Sequence, residues 1–119
     1  MREFGFWLLD EDHVPYLLPF NDENLRIASE WAYGPEGLAH RRVALDRLGD
    51  TEISTVFLIA DHSFREDGFP ILFETLVMGG PEDGEMTRYA TWYEAEEGHR
   101  ATVARLIALT RQPDGGAQA

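Results

Sequence analysis

The 119-residue chain has no cysteine and no lysine. Without cysteine there is no disulfide framework, no thiolate metal site and no thiol nucleophile. All positive charge rests on ten arginines, set against 22 acidic residues, for a formal net charge of −12. That balance repels phosphate backbones, so no nucleic-acid partner is expected. No apolar run approaches the roughly 20 residues that span a bilayer, so no membrane partner is expected either. The opening Met1-Arg2-Glu3-Phe4 lacks the basic-then-apolar pattern of a signal peptide, which places the expected location in the cytoplasm. There is no HExxH pair, no phosphate-binding glycine loop with its lysine and no GxSxG elbow.

Apolar residues make up 44% of the chain and aromatic residues 12%, enough to build a core and to exclude wholesale disorder. The length fits one domain, expected over residues 1–111. The glycine- and proline-bearing end, residues 112–119, is expected to be a disordered tail.

The pattern predicts an α+β domain: a mostly antiparallel sheet of four to six strands, including an N-terminal hairpin, with two helices packed on it. The apolar runs 3–9 and 14–20 flank the polar link Asp10-Glu11-Asp12-His13 and read as the hairpin. A helix is expected over 22–33, capped by Asn21-Asp22, with Leu25, Ile27, Ala28, Trp31 and Ala32 on one arc. Gly34-Pro35 ends it, and 33–39 reads as a loop. Residues 41–48 are taken as a strand turning at Gly49-Asp50, although the propensities of 38–48 favour a helix with Gly49 as its C-cap. Ile53–Ala60 and Ile71–Met78 read as an antiparallel pair. Residues 86–90 allow one short strand. Thr91-Trp92-Tyr93-Glu94 is a capping box opening a helix to about Thr110, with Trp92, Ala95, His99, Val103 and Leu106 as its buried stripe and a Glu96–Arg100 pair on its flank.

Three stretches read together resemble a group of small uncharacterised bacteriophage and prophage proteins. They are Ser54–Leu58 continuing to Asp61-His62, Pro70–Met78 (PILFETLVM), and Arg88-Tyr89-Ala90-Thr91-Trp92 continuing to Gly98-His99. The likeness runs from about Arg41 to His99. Ile59-Ala60 and Phe69 depart from the group's pattern and are bulkier than its usual residues. The resemblance implies a phage or prophage setting inside a bacterial host cell, and carries no assigned activity.

The candidate chemistry gathers Asp61, His62, Glu74 and His99. The first three lie at the ends or middles of neighbouring strands, and His99 lies on the helix that must cover them. Two imidazoles and two carboxylates can hold a divalent metal or supply a general base with its orienting acid. The same residues serve equally as buried hydrogen-bonding partners and turn caps. His99 is expected to touch Asp61, His62, Glu74 or the backbone beside them, without metal or cofactor. Arg41 and Arg42 form the one local basic patch, and Arg88 with Tyr89 offers anion contacts; His13 and His40 read as loop residues.

The leading expectation is a non-enzymatic, acidic interaction protein that binds and modulates a host or phage protein. A small metal-dependent or acid/base hydrolase using the Asp/His/Glu/His set is the alternative, followed by a minor virion or assembly component. A homodimer is left open.

Overall fold

The computed structural model describes residues 5–61 and 69–111; His62 and the expected tail lie outside them. Strands β1 (Gly5–Leu9) and β2 (Pro15–Pro19) form a two-stranded antiparallel sheet of their own, with Trp7 opposite Leu17. Both prolines stand at the ends of β2, where a missing N–H disturbs the ladder least. The link between the strands is tied by Asp10, whose carboxylate accepts from the amides of Asp12 (2.8 Å) and Val14 (2.9 Å). His13 closes the turn at φ 64°, in the left-handed region.

Helix α1 (Asp22–Tyr33) is capped by the Asn21 side chain, which accepts from the Asn24 amide at 2.8 Å, with Asp22 and Glu23 at the positive end of the helix dipole. Its expected arc is only partly realised. Ala28 and Ala32 are buried, whereas Leu25 and Ile27 are exposed. The helix lies chiefly against the β1–β2 hairpin instead of the larger sheet, and its small alanines make a narrow contact strip. The stretch expected as a loop contains a short helix, α2 (Gly37–Arg41). It forms because Gly37, which lacks a side chain, can press onto the Ala32 carbonyl and turn the chain back along α1.

The main sheet is a meander, β3 (Arg42–Leu48), β4 (Thr51–Phe57), β5 (Phe73–Met78) and β6 (Met86–Tyr89), antiparallel throughout and in that spatial order. The α+β expectation holds. The two-residue turn at Gly49-Asp50, with Gly49 at φ 61°, sets Leu48 opposite Thr51 and overrides the helical propensity of 38–48. β4 and β5 pair Ile53 with Val77 and Phe57 with Phe73, inside the two apolar runs. β4 starts at Thr51 and stops at Phe57, before the expected Ala60; β5 starts at Phe73, after the expected Ile71, and ends at Met78 as expected.

Helix α3 (Trp92–Arg111) opens on its capping box: the Glu94 amide donates to Thr91 Oγ1 (3.0 Å) and the Thr91 amide to Glu94 Oε1 (3.3 Å). It packs across all four strands of the meander. One end of the core joins Leu9, Phe57, Leu72, Phe73 and Ala95, edged by Trp7, Trp31 and Trp92; the other joins Ile53, Val77 and Leu106. On the outer side of α3, Arg100 pairs with Glu97 at 2.6 Å and not with Glu96, since i,i+3 neighbours share a face as closely as i,i+4 ones. The hydrogen bond that Arg100 donates to Glu97 holds its guanidinium above the usual range. Among the described residues no helix is long and apolar enough to cross a membrane.

Candidate functional site

The alternation of β4 and β5 turns Ile53, Thr55 and Phe57, and Phe73, Thr75 and Val77, towards α3. Thr55 and Thr75 face each other in register, a buried hydroxyl pair in an otherwise apolar layer. Each needs a partner. The two Oγ atoms lie 2.5 Å apart; Thr55 Oγ1 lies 2.7 Å from His99 Nδ1, and Tyr89 donates to Thr75 Oγ1 at 3.1 Å. On its other side His99 Nε2 lies 2.8 Å from Asp46 Oδ2.

One arrangement of protons satisfies this chain. An ionised Asp46 only accepts, so His99 carries its proton on Nε2 and offers a bare Nδ1. Thr55 then donates to Nδ1 and accepts from Thr75, which in turn accepts from Tyr89. Each threonine hydroxyl donates once and accepts once, with Tyr89 as the first donor, and the run Tyr89–Thr75–Thr55–His99–Asp46 links all four strands of the meander through the helix.

Asp–His–Thr is the order of a nucleophilic triad. The setting removes that chemistry. Thr55 is 0% exposed and His99 3%, so no reacting group can come within bonding distance of the hydroxyl. Of these three only Asp46, with its side chain 52% exposed, meets solvent. The cluster is a satisfied structural network.

Among the described residues the expected convergence on His99 is not formed. Its two ring nitrogens are taken by Asp46 and Thr55, not by Asp61 or Glu74. Glu74 neighbours the inward-facing Thr75 on β5, so the pleat sends it to the opposite face of the sheet, where Arg88 donates to it at 3.1 Å. Asp61 accepts from the Ile71 amide at 2.9 Å and so closes the base of the segment between β4 and β5, a cap of the kind aspartate forms at turns. His62 lies outside the described residues. Among the described residues no group of three or more His, Asp or Glu side chains could hold a metal ion.

The proposed anion contacts separate in the same way. Arg88 and Tyr89 border one shallow recess with Phe69 and Glu94, yet the guanidinium is engaged by Glu74 and the phenol by Thr75. Arg41 is turned back onto α1, donating from Nε to the Ala32 carbonyl at 3.0 Å and lying 5.1 Å from the Tyr33 ring centre. Arg42 opens β3 instead, so the two arginines form no common patch.

Sequence reasoning passed over Asp46, Thr55 and Thr75. The signal available was a threonine at the inward position of each of two neighbouring apolar strands. It also passed over a second feature. Gly34-Pro35 folds α2 back so that the His40 ring stacks on Trp31, 5.0 Å between centres and 9° from parallel, with His40 Nδ1 donating to the Trp31 carbonyl at 2.7 Å. Recesses of about 690 Å³ and 370 Å³ border this pair. Glu30 and Glu36 line the first, beside Arg26 and Ile27; Asp10 and Glu11 line the second. Carboxylates thus stand around an aromatic pair at two open recesses of the described surface.

The fold and these sites define an α+β protein with a helix-backed antiparallel meander. No protein-family model matches the chain, and neither a curated protein nor a solved structure does.

Proposed function

We propose that this is a non-enzymatic interaction protein of phage or prophage type, acting in the cytoplasm of a bacterial host by binding and modulating a host or phage protein. The observation that carries the reading is the acidic groove at Trp31 and His40. A basic segment of a partner finds carboxylates of Glu30 and Glu36 on one side, Asp10 and Glu11 on the other, and an aromatic pair between them. The formal charge of −12 favours encounter with such a partner. The burial of Thr55 and His99 supports binding over catalysis, because the most triad-like group among the described residues is closed to substrate.

The test titrates a short arginine-rich peptide against the wild type and against the double variant Glu30→Gln/Glu36→Gln. The wild type should bind saturably and more weakly as salt rises. The double variant should lose affinity about five- to thirtyfold, the effect of two partly exposed charge pairs. An absence of binding, or equal binding by both proteins, would remove the groove from the proposal.

A further inference from the structure

α3 covers one face of the meander. The pleat and the register set out the other face in three rows running across the strands. The first is Arg42–Val56–Glu74–Arg88. The second is Leu45–Ser54–Leu76–Met86. The third is Arg47–Glu52–Met78. The middle row is apolar except for one small hydroxyl, and charged residues stand at both ends. No described helix or strand packs on this face.

Charge singles the face out. The chain carries −12 in total, yet these three rows hold three arginines and two glutamates. Glu74 is paired with Arg88 and Glu52 with Arg47, both within the face. Arg42 is left over. Its Nε is shut off from solvent and has no hydrogen-bond partner among the described residues. No carboxylate among the described residues pairs with its guanidinium, which a carboxylate from outside can meet only through its other two nitrogens.

We infer that this open face binds a second copy of the chain. Two bodies of −12 repel at long range and can meet only where each has lost its negative excess. This face meets that condition, and it can complement itself. A two-fold axis along the middle row lays Leu45, Leu76 and Met86 on their own counterparts and sets Arg42 of one protomer over Arg47 of the other, one strand spacing of about 4.8 Å from Glu52. Arg47 occupies one side of the Glu52 carboxylate through Oε1, leaving Oε2 for the Arg42 of the second copy. Four strands about 4.8 Å apart and some 20 Å long give a flat footprint of roughly 400 Å². Side-chain relief enlarges it into the range of a small interface, so the dimer should be reversible at micromolar or higher concentration.

Sedimentation velocity over a concentration series tests this on the whole chain. The wild type should move from one to two protomer masses as concentration rises, and moderate salt should favour the dimer by screening the mutual repulsion. That salt response is opposite in sign to the one expected of the basic peptide in the Trp31–His40 groove, so the two proposals fail separately. Leu76→Glu should weaken the dimer at least about tenfold, as a buried charge at an interface centre does. Arg42→Glu and Glu52→Arg should each weaken it, and the two together should restore it. Circular dichroism and thermal melts establish that each variant is folded; Leu76→Thr, which keeps a strand-forming residue without adding charge, serves if Leu76→Glu does not fold. A wild type that stays monomeric throughout, a dimer indifferent to Leu76 substitution, or a charge swap that restores nothing would each overturn the inference.

Discussion

Tyr89 lies directly across Gly98. A Cβ built at position 98 would fall onto the phenol, against its hydroxyl and the adjoining ring carbons. This glycine in the middle of a 20-residue helix is therefore what lets the Tyr89 hydroxyl pass beneath α3 and reach Thr75. Gly98→Ala should raise intrinsic helix propensity by about 1 kcal/mol and still lower stability by about 1–3 kcal/mol, because the ring must move and the polar chain loses its first donor. In a Tyr89→Ala background the same substitution should be neutral or stabilising. Chemical denaturation of the four proteins of this cycle reads the change of sign directly.

The chain through His99 makes unequal demands on its members. His99→Ala leaves Thr55 with a buried hydroxyl lacking its acceptor and opens a void beneath α3, so a loss of about 2–4 kcal/mol is expected. Asp46 sits at the solvent end, and an asparagine oxygen can still accept from Nε2. Asp46→Asn should therefore cost less than about 1 kcal/mol. Urea melts of the two variants should differ clearly; equal losses would mean that the aspartate is as deeply committed as the imidazole.

Much of this fold was legible in the sequence because its signals were local. Gly49-Asp50 set the β3–β4 register, Thr91 and Glu94 wrote out their own cap, and the β-branched runs in 53–57 and 73–78 marked the central strands. The candidate site was less legible for a geometric reason. His99 was correctly placed on the buried stripe, but its partners depend on which residues of three strands point inward, and a shift of one position exchanges the two faces of a sheet. Glu74 was one residue from Thr75 and thus on the wrong side. Asp46 was hidden by the ambiguity of 38–48, since only a strand brings it under the helix. The Trp31–His40 stack depends on a glycine, Gly37, pressing against Ala32, a contact that periodicity does not encode.

Burial separates two leucines that look alike in the sequence. Leu106 is 3% exposed and packs on Ile53 and Val77, while Leu25 is 51% exposed on α1. Leu106→Ala should cost about 2–5 kcal/mol by leaving a cavity. Leu25→Ala should stay within about 0.5 kcal/mol of the wild type, as exposed substitutions do. Thermal unfolding of both variants checks the narrow contact strip of α1: a large loss at Leu25 would show that the helix buries the wider arc its periodicity suggests.

His13 joins the hairpin to α3 at some conformational expense. Its backbone sits at φ 64°, where a side chain costs roughly 1 kcal/mol, while its ring lies on Trp92, the first residue of α3, with centres 3.6 Å apart and planes 6° from parallel. Aromatic stacking contributes about 0.5–1.5 kcal/mol, so the two effects nearly offset each other. His13→Gly removes both, and its stability should stay within about 1 kcal/mol of the wild type. His13→Ala keeps the backbone strain and loses the stack, and should be less stable than His13→Gly by about 1 kcal/mol. Both variants should alter the near-ultraviolet dichroism of Trp92 alike. A ranking with alanine above glycine would mean that the turn relaxes out of the left-handed region once the imidazole no longer holds it against Trp92.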